Sequence, residues 1–255
     1  MKAMRYVTTI SAIILITGLS YAGTITGKIT YDGDVPARSM LKATKDQHCI
    51  DAVKGTKSEA LVVSKGTGIK NVVVYLRSRR AKATPPAKNP VMDQASCAYS
   101  PHVLAVVAGT TVDIRSSDPV AHNVHSHAKK DPEAAVNWQI AQQGKVFPLT
   151  LKKAEPIKFT CDIHNWMTGY IVVVENDHFA VTGDKDKDGK WISSDAYEKS
   201  SDAGTYTIAN VPAGKYRIQV WHEELGLANR TVTVTDSGEV EESFTSSDFK
   251  KKKAK

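Results

Sequence analysis

TCDIHNWMTGYIVVVE, residues 160–175, sets a thiol, an imidazole and a thioether three residues apart and then runs straight into a strand. Packing alone asks for no such trio. Cys161, His164 and Met167 are donors that a soft or borderline metal takes. Ile171 to Val174 is a continuous β-branched run, the pattern of a strand covered on both faces. Upstream, TTVDIRS (residues 110–116) alternates as a half-buried strand, and Ser116-Ser117-Asp118-Pro119 is a polar turn. His122 stands where the chain leaves that turn, and His125 follows three residues later, which on a strand turns it to the opposite face.

The rest of the chain has the same character. TITGKITY, ALVVS, KNVVVYLR, VLAVVAG, PIKFTC, TYTIA, KYRIQVW and RTVTVT are short, rich in β-branched and aromatic residues, and separated by Gly, Pro, Asn and Asp. Only Asp131–Ile140 and Ser194–Ser200 read as short helices. The fold class expected is all-β, in sandwiches. A boundary falls near Asn176-Asp177, where the strong strand ends. Residues 23–176 are read as one domain with an N-terminal strand extension, residues 177–247 as a second sandwich, and residues 248–255 as a solvated lysine-rich tail.

The 255 residues carry a formal net charge of +7. Lys2, Arg5 and the five lysines of residues 250–255 account for all of it, so the body from Gly23 to Phe249 is neutral. A neutral body argues against a nucleic-acid partner; membrane contact falls to the tail alone. Residues 1–22 have a basic start, a short apolar run from Val7 to Leu19 and small residues ending at Ala22, the form of a secretory leader cut after Ala22.

A trigonal plane of two His nitrogens and one Cys sulfur with a weak axial Met is the ligand set of blue copper sites. Cys161, His164 and Met167 supply three of the four, and His122 is preferred over His125 for the last. HNVH followed by CDIHNWMTGYIVVVE resembles the cupredoxins, and within them the amicyanin-like copper loop. That resemblance spans about Leu104 to Glu175. It implies a Greek-key β-sandwich, copper held by His122, Cys161, His164 and Met167, and Asn123 bracing the ligand loop through hydrogen bonds. Ala121 departs from the proline the family carries there. Zinc on His122, His125, Cys161 and His164 is the competing metal reading, though it leaves Met167 without a role.

Three cysteines in a secreted chain leave one over. With Cys161 on the metal, Cys49 and Cys97 are expected to pair, closing a loop worth on the order of 4 kcal/mol in the chain-entropy model. The alternative is a second metal site using Cys49 with His48, or Cys97 with His102. The C-terminal GTYTIANVPAGKYRIQVWHEELG resembles carboxypeptidase regulatory-like domains, transthyretin-type sandwiches, through a hairpin at Val-Pro-Ala-Gly-Lys-Tyr. DKDKDGKWISSD places Asp184, Asp186, Asp188 and Asp195 at positions 1, 3, 5 and 12 of a candidate calcium loop, with Gly189 at position 6.

Together these readings give a secreted, periplasmic type 1 copper electron carrier rather than an enzyme. The loop around His164, with Ile163, Trp166 and Met167, is expected to present that ring's edge as the port where a c-type cytochrome, a dehydrogenase or an oxidase docks. The competing readings are a structural envelope sandwich with a non-redox metal, and copper storage or delivery.

Overall fold

The computed structural model describes residues 22–78, 84–183, 185–186 and 188–250. The leader read at residues 1–22 lies outside these except for Ala22, as do residues 251–255 of the tail. Lys250, read as tail, pairs its backbone with Leu227. No described helix is long and apolar enough to cross a membrane.

The chain is almost wholly β, in four sheets that make two sandwiches. One sandwich is built from residues 91–174. Its first sheet runs β4 (Ala98–Ser100), β3 (Val91–Ala95), β6 (Thr110–Ser116), β9 (Val146–Leu151). Its second runs β5 (Val103–Val107), β11 (Thr168–Val174), β10 (Pro156–Thr160), β7 (His122–Ser126), β8 (Asn137–Ile140). Met92, Val112, Ile114, Leu149 and Leu151 of the first sheet meet Leu104, Val124, Ile157, Phe159 and Ile171 of the second in one core. β6 alternates buried and half-buried residues along its whole length, as its sequence requires.

The other sandwich takes strands from both ends of the chain. β1 (Ala22–Thr30) lies between β13 (Thr205–Pro212) and β16 (Glu239–Glu241) and also pairs β17 (Phe244–Thr245). The facing sheet is β12 (Phe179–Val181), β2 (Val73–Arg77), β14 (Gly214–His222), β15 (Gly226–Val234). For β1 and β2 this pairing departs from the expectation that residues 23–80 extend the metal-bearing unit, whereas Cys49 and Val53 between them pack into the 91–174 core. Ile25, Ile29, Val74 and Leu76 bury their side chains with Ile208, Ile218 and Val220, not with the 91–174 core. The first sandwich is an insertion between β2 and β12. Local alternation in TITGKITY fixes which face of β1 is buried but not which distant strand it meets.

The unbroken apolar run of β11 follows from this arrangement. Ile171 and Val173 point into the 91–174 core, while Val172 and Val174 pack with Val73 and Trp221 of the other sandwich. Three further local expectations change. Residues 131–140 form a 3-10 turn, Pro132–Ala134, and then β8, not a helix. Val-Pro-Ala-Gly is a corner, not a hairpin: β13 pairs β1 and β14 pairs β2 and β15, in different sheets. A short helix α1 (Gln47–Ala52), absent from the sequence reading, carries Cys49. Helix α2 (Ser194–Glu198) forms where one was expected, capped by the Ser193 side chain accepting from Ala196 N–H.

Candidate metal centre

Three buried side chains converge at one end of the 91–174 sandwich. His122 opens β7, Cys161 follows β10, and His164 sits in the loop to β11. The loop closes on itself, with Met167 N–H donating to His164 carbonyl at 2.9 Å and Cys161 N–H to Met167 carbonyl at 3.4 Å. It enters β11 through Gly169, where a Cβ would stand 2.7 Å from Tyr99 Cβ. Tyr99 needs that space because its hydroxyl donates to the Thr160 carbonyl at 2.9 Å, just before Cys161.

The donor atoms face one another. His122 Nδ1 and His164 Nδ1 are 2.9 Å apart. Cys161 Sγ is 4.0 Å from the first and 3.8 Å from the second. A point equidistant from all three atoms lies about 2.1 Å from each, the length of metal–imidazole bonds and close to that of metal–thiolate bonds. Met167 is buried in the same core as Cys161.

The far side of each ring explains why. His122 Nε2 is 2.9 Å from Asp118 Oδ2, and His164 Nε2 is 2.6 Å from Asp46 Oδ2. A carboxylate at Nε2 holds the proton there, which leaves the Nδ1 lone pair free. Both rings then aim lone pairs at each other and at a thiolate. A proton on one Nδ1 or a metal ion between them relieves that arrangement, and a metal satisfies all three donors at once. Two imidazoles and a thiolate are donors copper takes, so the residues fit the metal. His125 turns away, as expected of the opposite face, and pairs with Asp162 at 3.0 Å on the surface.

Charge at the site follows the same geometry. Burial opposes a charged His122, but the Asp118 carboxylate and Cys161 sulfur outweigh it and push its pKa up to about 9. Burial likewise opposes the Cys161 thiolate, yet the hydrogen bonds from His122 and from the Asn123, His164 and Ile163 backbone hold that thiol below its ordinary range. The site is built to keep sulfur as thiolate and to hold one positive charge beside it.

Asn123 occupies the bracing position. Its backbone N–H points at Cys161 Sγ at 3.5 Å, and its side chain donates to Asn137 Oδ1 and Asp162 Oδ2 and accepts from Asp162 N–H. Gln94 donates to the Asn123 carbonyl from beneath.

Two braces were missed by sequence reasoning. Asp118 lies in a turn that reads as ordinary polar loop. Its oxygens accept from Ser96 N–H at 2.7 Å and Cys97 N–H at 2.9 Å as well as facing His122. Ser96 and Cys97 are the two-residue turn between β3 and β4, both with positive φ, the backbone of a type I′ turn. Asp46 lies far away in sequence and arrives with α1, which Cys49 ties to Cys97 by a disulfide. Position 118, four residues before His122 and next to a proline, carried a usable signal; position 46 carried none.

The same segment alters the expected port. His164 is fully buried, its outer edge closed by Asp46 and by Cys49 Sγ at 3.9 Å. Trp166, half-buried, lies against the ring at 4.9 Å between centroids and donates to the Cys97 carbonyl.

The calcium loop is not drawn together. Asp186 accepts from its own loop, Asp188 N–H and Lys190 N–H, and Asp195 stands on α2 at 3.7 Å from Arg38. Asp184 lies outside the described residues, and among the described residues these aspartates form no metal-ligating cluster.

Comparison with known proteins gives partial matches. The family described as polysaccharide lyase family 4, domain II, matches residues 165–242, and this, not a carboxypeptidase regulatory-like domain, is the family found over the GTYTIANVPAGKYRIQVWHEELG stretch. No curated protein matches the chain. Among solved structures, a purple cupredoxin from Nitrosopumilus maritimus is 23% identical over 34% of this chain and 100% of its own, with a TM-score of 0.29. A reduced amicyanin mutant is 27% identical over 40% of this chain and 98% of its own, at 0.32. A copper-containing nitrite reductase from Thermus scotoductus is 23% identical over 40% of this chain and 26% of its own, at 0.31.

Proposed function

We propose that this protein is a type 1 copper protein that carries single electrons. One observation carries the reading: His122 Nδ1, His164 Nδ1 and Cys161 Sγ converge on a common point, with both rings fixed by carboxylates so that their lone pairs face it. Bound there, copper supplies a one-electron couple. The protein's part is to hold the ligands still. Asp118 and Asp46 fix the two rings, Asn123 fixes the Cys161 end of the loop, and Gly169 against Tyr99 fixes the other. A rigid donor set that compromises between nitrogen and sulfur preferences changes little between oxidation states, which favours fast electron transfer.

In this reading residues 1–22 export the chain, and a redox protein docks on the face that presents Trp166. Trp166 takes the place of the His164 edge because it is half-exposed and touches that ring. A second reading, copper storage or delivery, is favoured by one fact: no part of His164 reaches solvent.

The test is a visible and electron-spin spectrum of the copper-loaded protein. A carrier shows an intense thiolate-to-copper band that bleaches on reduction and returns on oxidation. Copper bound without that band, or a band that does not cycle, excludes the carrier and leaves storage or delivery.

A further inference from the structure

A cavity of about 570 Å³ opens where the two sandwiches and the segment between β1 and β2 meet. Its walls are aromatic: Tyr99, Trp166 and Tyr170 from the 91–174 sandwich, and Trp191 from the loop before α2. Lys57, Lys70 and Lys158 line it against Glu59, Glu223 and Glu224, so its formal charges cancel. The buried ones are engaged. His102 Nε2 is paired with Glu223, the two side chains being 9% and 5% exposed. Glu59 accepts from Ser194 Oγ and lies in the field of Lys70. Two polar groups on the wall are unused. Asn71, 4% exposed, has no hydrogen-bond partner for its Nδ2, and among the described residues nothing bonds to His102 Nδ1. With the Glu223 carboxylate holding the ring proton on Nε2, that Nδ1 is an acceptor.

We propose that this cavity binds a small uncharged aromatic alcohol, a phenol. The walls take the ring, since aromatic side chains bury large apolar area and stack on flat partners. The cancelled charges argue against an ion, which would leave a buried charge unmatched. A sugar needs partners for many hydroxyls, and the wall has few polar groups to spare. A phenolic hydroxyl gives its hydrogen to His102 Nδ1 and accepts from the Asn71 amide, so both unused groups gain a partner.

The site adjoins the metal centre without sharing its donors. Trp166 lines the cavity and lies against the His164 ring at 4.9 Å between centroids. Trp191, 46% exposed, is otherwise a large apolar side chain left in water; here its ring covers part of the ligand. Binding needs no metal, so it stands apart from the function proposed above.

The experiment titrates the metal-free full chain with p-cresol by calorimetry and by heteronuclear NMR. One molecule should bind per chain, with a dissociation constant on the order of 0.1 to 1 mM, as suits so small a ligand. The indole N–H signals of Trp166 and Trp191 should move, and that of Trp138, which stacks on Phe147 and does not line the cavity, should stay. p-Xylene has the same shape without the hydroxyl and should bind about tenfold or more weakly, because it leaves the polar groups unpaired. Ala60→Phe fills the cavity from its wall and should abolish binding. His102→Lys keeps a donor for Glu223 but offers no acceptor, and should weaken p-cresol about tenfold. Absence of saturable p-cresol binding overturns the site, as does binding that persists in Ala60→Phe or moves Trp138 instead. p-Xylene binding as tightly, glucose binding more tightly, or wild-type affinity in His102→Lys overturns the ligand class; the p-cresol and p-xylene comparison on wild type decides it even where a variant does not fold.

Discussion

Asp118→Asn tests the tautomer argument with a change of one atom. The Asp118 side chain is only 5% exposed; it accepts from Ser96 N–H and Cys97 N–H and faces His122 Nε2 and, at 3.4 Å, His48 Nε2. An amide keeps one oxygen. Turned toward Ser96, it sets its own NH2 against Cys97 N–H and His122 Nε2. Turned the other way, it orphans Ser96 instead. Either orientation finally orphans one backbone donor, Ser96 N–H or Cys97 N–H, so the apo protein loses about 1 to 3 kcal/mol. For a chain of this size that is about 2 to 12 °C in Tm. In the first orientation relief comes from His122 moving its proton from Nε2 to Nδ1, where it blocks the metal-facing lone pair. Copper affinity should therefore fall about ten- to hundredfold, the usual effect of removing a carboxylate behind a ligating histidine. Competition titration against a chelator of known affinity measures the loss, and differential scanning calorimetry of the apo protein measures the stability. A variant that is less stable but binds copper as wild type does refutes the reasoning, since it would show Asp118 to be a brace for the Ser96-Cys97 turn and nothing more.

Cys161→Ser should abolish the visible thiolate-to-copper band and leave the far-ultraviolet circular dichroism unchanged; colour retained in that variant contradicts the assigned thiolate. Gly169→Ala places a methyl 2.7 Å from Tyr99 Cβ, and the overpacking should cost about 1 to 3 kcal/mol in chemical denaturation. Met167→Gln should keep copper and colour but lower the reduction potential in a redox titration, because a sulfur that favours copper(I) is replaced by an oxygen that favours copper(II). Burial, helped by nearby His102, depresses His222 from 6.5 to about 3, so between those pH values the unfolded chain binds a proton that the folded chain refuses. Stability should fall with acidification across that window, by up to about 1.4 kcal/mol per pH unit, and a His222→Gln variant should lose that part of the slope in denaturation midpoints measured from pH 7 to pH 4.

What the sequence revealed depends on distance along the chain. Cys161, His164 and Met167 are local, and their spacing in one loop is visible without structure. His122 is legible because a polar turn at the end of an alternating strand points to it, and β7 does carry it to the site. The Cys49–Cys97 bridge follows from counting, once Cys161 has another partner. The insertion of one sandwich into the other is not legible, because an alternating strand such as TITGKITY says which residues are buried and is silent on its neighbour. β1 finds β13 from more than 170 residues away. The corner at Val-Pro-Ala-Gly misled for the same reason: tight-turn residues serve a hairpin and a change of sheet equally well. The aspartate spacing of residues 184–195 misled differently, since an Asp-rich turn satisfies its own backbone, as Asp186 does with Asp188 and Lys190 N–H.

The insertion also decides how the centre meets its surroundings. In the segment between β1 and β2, Asp46 and Cys49 cross from one sandwich to the other and lie over the ring that would otherwise face solvent. A chain made of residues 91–174 alone would have the three donors but would lack the carboxylate on His164 and half of the disulfide. Its His164 would be free to rotate and to lose the Nε2 proton that keeps Nδ1 available. The electrostatic fit at the metal therefore depends on a segment that packs Cys49 and Val53 into the 91–174 core while the strands on either side of it, β1 and β2, pair in the other sandwich. Loosening the contact between the sandwiches, for instance at Val73, Val172, Val174 and Trp221, should register at the copper before it registers in the strand content, because the strap over His164 is held by the Cys49–Cys97 bridge, the Asp46–His164 and His48–Asp118 contacts and a few packed side chains, while the sheets hold themselves.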